Sequence, residues 1–144
     1  MLPTEVPEHA FTCELQVRWS DQDVNEHVNN SRILTLTEEA RVQATKAWTG
    51  AVPDARVVRA LNVSFEHPIH YGPQLIAHVW ISRIGTSSFT FSHTLSQDGV
   101  RCAYIEATVV TIDPETKQSR PLSDQLRAAL LPQLAAESVT TPGN

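Results

Sequence analysis

"WSDQDVNEHVNNSRILTLTEEAR", residues 19–41, gathers Asp21, Asp23, Asn25, His27, Asn29 and Asn30 directly ahead of an amphipathic run. Capping a helix takes one such side chain. The surplus asks for another purpose. Upstream, "FTCELQVRWS" (11–20) alternates Phe11, Cys13, Leu15, Val17 and Trp19 with polar residues, the period of a half-buried strand. Downstream, Ile33, Leu34, Leu36, Ala40, Ala44, Ala47 and Trp48 recur at near-helical spacing, with Glu38, Glu39, Arg41, Gln43 and Lys46 on other faces. Gly50 and Pro53 stop that helix.

The remainder reads mostly as strands: 56–67, 75–85, 87–97 and 100–113. "HPIHYGPQ" (67–74) breaks the first two apart with prolines and a glycine. Asp98-Gly99 suits a tight hairpin because both residues tolerate positive φ. A second helix starts at Ser123 and is ended or kinked by Pro132. The order is strand, long helix, then four strands in meander. That pattern predicts an α+β hot-dog-like fold, a five-stranded antiparallel sheet wrapped around one long helix. A small barrel is the competing arrangement, disfavoured by the long apolar helix after the first strand.

The 144 residues fit one domain, 1–144, with a core over about 11–131 and a frayed tail over 138–144. At 41% hydrophobic content the chain can build a core without a disulfide or metal. A net charge of −5 with no basic cluster argues against nucleic acid or anionic membranes as partners. Cys13 and Cys102 read as reduced thiols. The N-terminus lacks a signal-peptide pattern and no apolar run is long enough to span a membrane, so the expected location is the cytoplasm.

A helix N-terminus leaves backbone N–H groups unpaired and carries partial positive charge, so it can hold a developing oxyanion. With Asn29 or Asn30 as cap, the free N–H groups fall around Asn29 to Ser31. Asp23 lies just upstream. If the loop folds back, a carboxylate and an oxyanion hole face one small space, enough to hydrolyse an activated acyl group. Capping and turn formation alone explain the same residue types.

The pattern D-x-N-x-H-V-N-N, carried by Asp23, Asn25, His27, Val28, Asn29 and Asn30, resembles the start of hot-dog thioesterases of the 4-hydroxybenzoyl-CoA thioesterase type. It is most similar to their fatty-acyl branch and to plant acyl-ACP thioesterases. "VVRALNVSFEHPIHYGPQL", "IGTSSFTF" with its Gly-x-x-Ser strand start, and "PLSDQLRAAL" extend the resemblance over about 11–131. The resemblance implies an enzyme that hydrolyses acyl-CoA or acyl-ACP to a carboxylic acid and a thiol without a cofactor. It implies Asp23 as base or nucleophile, the Asn30 N–H as oxyanion donor, and Asn25 and His27 as orienting or assisting residues. It also implies a homodimer or homotetramer with pockets built from two chains. Many relatives have Gly at the position of Glu26. The basic run that grips CoA phosphates in some relatives is replaced here by Gly85, Thr86 and Ser87, ahead of Ser88.

Phe65, Tyr71 and Ser88 are candidates for substrate binding, with core packing the equal alternative for the two aromatics. Trp19, Trp48 and Trp80 read as core or interface residues. His67 and His70 have metal-like spacing but no third ligand near in sequence, so no metal is expected. His78 and His93, on strands, default to a solvated face. Glu39 is the reserve base and Asp21 a turn residue. A hot-dog enoyl-CoA hydratase and a non-catalytic acyl-thioester binding protein are the competing functions. The hydratase signature D-x-N-P-x-H is not matched, and the first strand begins near residue 11, leaving no room ahead of it for a DNA-binding domain.

Overall fold

The structure, a computed structural model, describes residues 5–50 and 55–136. The expected stop at Pro53 and the tail over 138–144 lie outside the described residues. The elements are β1 (Phe11–Leu15), α1 (Asn30–Thr49), β2 (Arg56–Phe65), β3 (Leu75–Ile84), β4 (Ser88–Gln97), β5 (Val100–Thr111) and α2 (Asp124–Leu130). The strands form one antiparallel sheet in the order β1-β3-β4-β5-β2. This is the hot-dog arrangement, an α+β fold whose sheet carries one long helix.

The helix packs where its sequence allows close approach. Ala40 and Ala44 are fully buried, and Ile33 and Leu36 extend the same stripe. These meet Val79, Ile81, Phe89, Phe91, Leu95 and Ile105 from the inward face of the sheet. Period-two alternation explains that face: Phe89, Phe91, His93 and Leu95 line it, while Thr90, Ser92 and Thr94 turn outward. The outward residues are tied together, with Ser92 Oγ 3.0 Å from Ser82 Oγ and 3.1 Å from the Tyr104 hydroxyl, which donates to Glu106 at 2.9 Å. Asp98 (φ 51°) and Gly99 (φ 76°) make the expected tight turn. Gly50 closes α1 in the left-handed region at φ 81°.

Several expectations change. β1 ends at Leu15, and Trp19–Asp21 wind into a short 3₁₀ turn. Trp19 is 72% exposed in the protomer, so it is not a core residue. The four later strands are not a simple meander. β2 crosses to the far edge and pairs only with β5, while β3, β4 and β5 follow one another. Arg41, expected on a polar face of α1, is buried. His93, expected on a solvated face, is fully buried. Its Nδ1 donates to the Ile105 carbonyl at 3.0 Å. Burial, reinforced by the Arg41 charge, drives its pKa down to about 3, so the ring is neutral at physiological pH. His78 and His93 are not cross-strand partners, because His78 pairs with Thr94 and Val79 with His93.

The helix lies over β1, β3 and β4. β2 is left at the margin, with Val57, Val58, Leu61 and Phe65 exposed and its outer edge without a strand partner among the described residues. Because Ala40 is fully buried on the face of α1 that packs against the sheet, Ala40→Leu should overpack that contact and lower the unfolding free energy by about 1–3 kcal/mol. Chemical denaturation checks this; unchanged stability would mean the helix stands further from the sheet than the structure shows.

Candidate active site

The polar stretch ahead of α1 folds into a small hairpin closed by an antiparallel bridge between Gln22 and Val28. Inside it the Asp23 N–H donates to the His27 carbonyl at 2.8 Å, and the Glu26 N–H to the Asp23 carbonyl at 3.0 Å. The Asn25 N–H donates to Asp23 Oδ1 at 2.9 Å. One carboxylate oxygen is therefore held by the loop's own backbone. Asn25 contributes that N–H, and its exposed side chain is not what holds Asp23. Asp23 and His27 are half-buried, whereas Val24 at the loop tip is almost fully exposed.

Asp21 is a structural acid, as its turn reading anticipated. It is buried, and its carboxylate takes the Arg18 N–H at 2.8 Å and the Arg18 guanidinium at 3.0 Å, with Arg32 at 3.9 Å. Burial pushes its pKa upward, but the Arg18 bonds and the two guanidinium charges outweigh that and leave it below the ordinary carboxylate range. Its backbone carbonyl accepts the Asn29 N–H at 3.0 Å.

The opening turn of α1 can then be accounted for group by group. Asn29 is the cap: its side chain accepts the Ser31 N–H at 2.9 Å, and its carbonyl accepts the N–H groups of Arg32 and Ile33 at 2.9 and 3.0 Å. Only the Asn30 N–H in that turn has no acceptor among the described residues, and Asn30 is exposed. The unpaired donor is where sequence reasoning placed it.

The hairpin leans on the turn between β2 and β3. The Val28 N–H donates to the Ile69 carbonyl at 2.8 Å, and the His27 ring meets the His70 ring edge-on with centroids 5.1 Å apart. Sequence reasoning set His70 aside as a surface or turn residue with metal-like spacing and missed this contact. Among the described residues no group of His, Cys, Asp or Glu could hold a metal ion. The signal was "HPIHYGP" (67–73): its two prolines, Pro68 and Pro73, leave carbonyls without local N–H partners.

The remaining candidates are not gathered here. Phe65 ends β2 and Tyr71 follows His70; both are exposed, so core packing does not explain them. A shallow groove of about 200 Å³ joins Tyr71 and Gln74 to Glu14 and Gln16, without Asp23. Ser88 starts β4, while Gln97, next to the His70 turn, ends it. At a strand rise of about 3.3 Å per residue, Ser88 lies about 30 Å from that end of the sheet. Glu39, the reserve base, is exposed and accepts from Gln43 at 3.2 Å. It sits about 13 Å further along α1 than Asn30.

The geometry is that of a hot-dog sheet with a carboxylate-bearing loop ahead of its long helix and an N–H without an acceptor among the described residues at the start of that helix. A family model described as the thioesterase-like superfamily matches residues 17–130. The chain belongs to that superfamily and is a thioester hydrolase. It is 30% identical over 124 residues to the long-chain acyl-CoA thioesterase FadM of Escherichia coli K12, covering 81% of this chain and 94% of that protein. A thioesterase-superfamily structure from Jannaschia sp. CCS1 superposes with a TM-score of 0.86 at 26% identity, covering 94% of this chain and all of that one. A Thermus thermophilus thioesterase complexed with coenzyme A and zinc gives a TM-score of 0.75 at 25% identity, covering 83% and 90% of the two chains.

Glu26 occupies the left-handed region at φ 63°, a conformation that costs a side-chain-bearing residue about 1–2 kcal/mol. The need for that φ explains why relatives place Gly there. Glu26→Gly should therefore keep activity and raise stability by up to about 1 kcal/mol, part of the relief being lost to the freer unfolded chain. Thermal unfolding checks the sign, and a lowered midpoint would show that the Glu26 side chain makes a compensating contact.

Proposed function

We propose that this protein hydrolyses acyl-CoA to a carboxylic acid and free coenzyme A, with Asp23 supplying the base and the Asn30 N–H the oxyanion donor. The observation that carries the proposal is the Asn30 N–H, alone unpaired in the first turn of α1 among the described residues, beside the loop that presents Asp23. FadM's name as a long-chain acyl-CoA thioesterase and the coenzyme A bound to the Thermus thioesterase support the thioester class and the CoA carrier. Acyl carrier protein is the second carrier to test. The free thiols of Cys13 and Cys102 fit a reducing compartment, the cytoplasm.

The chemistry follows from the geometry. A thioester carbonyl oxygen that accepts the Asn30 N–H lies at the positive end of α1. Asp23 Oδ1 is tied to the Asn25 N–H, and Oδ2 has no protein partner among the described residues. That oxygen takes a proton from an attacking water. Alternatively it attacks the carbonyl carbon itself, forming an anhydride that water then opens. Either route develops negative charge on the oxygen held by Asn30. Collapse breaks the carbon–sulfur bond, and the departing thiolate needs little help from an acid. His27 therefore serves by holding the loop.

Two copies complete the pocket. β2 presents a free edge and exposed Val57, Val58, Leu61 and Phe65. Antiparallel pairing of two β2 strands about a two-fold axis continues the sheet and covers this margin. It also turns the second sheet end for end, bringing Ser88 of the second copy toward the Asp23 end of the first. A homodimer, or a tetramer of such dimers, is the assembly this implies.

Hydrolysis of an acyl-CoA panel, followed by release of free thiol, tests the activity. Folded Asp23→Asn should lose at least about 10²-fold in kcat; a near-normal rate would move the base elsewhere, to Glu39 first. Light scattering on the purified protein should give a mass two or four times the 16.0 kDa chain. A stable, active monomer at micromolar concentration would contradict the two-chain pocket.

A further inference from the structure

We infer that His70 is a positioning residue for the Asp23 loop, and that Gln97 is the buried clamp that sets it. The inference rests on the reading of Asp23 as the reacting carboxylate and adds what holds it in place. Gln97 is the last residue of β4 and only 6% exposed. Its side-chain amide makes three hydrogen bonds, all to the turn between β2 and β3. Oε1 accepts the His70 N–H at 2.9 Å, and Nε2 donates to the carbonyls of His70 at 2.9 Å and Pro73 at 3.1 Å. Pro68 and Pro73 remove N–H donors from this turn, so its carbonyls need a donor from outside. Ile69, fully buried, anchors the same turn from below.

The clamped turn then makes two contacts with the catalytic hairpin. Ile69 offers its carbonyl to the Val28 N–H at 2.8 Å, and the His70 ring abuts the His27 ring edge-on at 5.1 Å. His27 in turn accepts the Asp23 N–H at 2.8 Å through its carbonyl. A rigid central strand is thus linked to Asp23 through Gln97, His70 and His27. The tip of the hairpin is open to solvent: Val24, Asn25 and Glu26 are exposed, and its closing bridge is a single pair. His70 is exposed, so its ring is not retained for core packing. Its contact with His27 is a matter of ring shape, which a phenyl group shares.

The test uses the full chain, the best acyl-CoA substrate of the panel, and His70→Ala, His70→Phe and Gln97→Met. His70→Ala should lower kcat about tenfold or more while KM stays within about twofold, because a displaced carboxylate harms the reaction more than binding. His70→Phe, which keeps an edge-on ring, should recover kcat to within about threefold of wild type. Amide exchange at Asp23 and Val28 should accelerate in both His70→Ala and Gln97→Met, with exchange in β3 and β5 unchanged. A wild-type kcat in His70→Ala would overturn the inference, as would a His70→Phe variant no better than His70→Ala. Should Gln97→Met fail to fold, the two His70 variants decide alone. Should Asp23→Asn prove fully active, the assignment of Asp23 falls, and exchange at the loop amides still decides whether His70 and Gln97 hold the hairpin.

Discussion

The bond from the Asn29 N–H to the Asp21 carbonyl fixes where α1 begins, and the site depends on that register. Asp21 can offer its carbonyl there because its side chain is itself pinned, buried against Arg18 with Arg32 nearby. Shift the helix start by one residue and a different N–H is left over. With the register as it stands, Asn29 consumes the donors of Ser31, Arg32 and Ile33, and Asn30 is left to face outward. An unpaired donor at an exposed helix end costs little, since water satisfies it, and it is available to a substrate oxygen at no reorganisation cost. The two acids of the stretch thus divide the work by environment. Asp21, buried between guanidinium groups, holds the architecture; Asp23, half-buried and tied at one oxygen only among the described residues, is the acid to which the proposed function gives the chemistry.

The second constraint is the width of the sheet. The helix packs chiefly on β1, β3 and β4, and β2 lies at the margin of the sheet. Apolar side chains on an edge strand are an invitation to pair. In this chain that uncovered margin lies between the Asp23 end of the sheet and the Ser88 end, so the same pairing that buries it would unite the two ends across a two-fold axis.

Much of this was legible in the sequence because it is encoded locally. The four later strands were bounded to within two residues, Asp98-Gly99 marked the hairpin, and Asn29 and Ser123 marked the caps. The motif also marked the hairpin that carries Asp23 and leads into α1, which a Gln22–Val28 bridge closes. What was not legible depends on partners distant in sequence. Nothing local in 56–65 says that β2 will cross to the far side of β5. His93 is buried because a Phe-rich face of β4 meets the helix, a fact of register that a period-two pattern leaves open by one face. Trp19 was read as a core or interface residue because the alternation of β1 runs through it, yet the strand ends four residues earlier at Leu15, and Trp19 sits exposed in the short turn that Arg18 and Asp21 close. Gln97 could not be singled out, since its value lies in three bonds to a turn met 24 and 27 residues before it.

The most direct measurement of the central claim is a structure of the protein with a non-hydrolysable acyl-CoA analogue in which the thioester sulfur is replaced by methylene. The account predicts the analogue's carbonyl oxygen within hydrogen-bond distance, about 2.7–3.2 Å, of the Asn30 nitrogen, with the Asp23 carboxylate facing the carbonyl carbon. A carbonyl bound away from the start of α1, or facing Glu39 instead of Asp23, would contradict it.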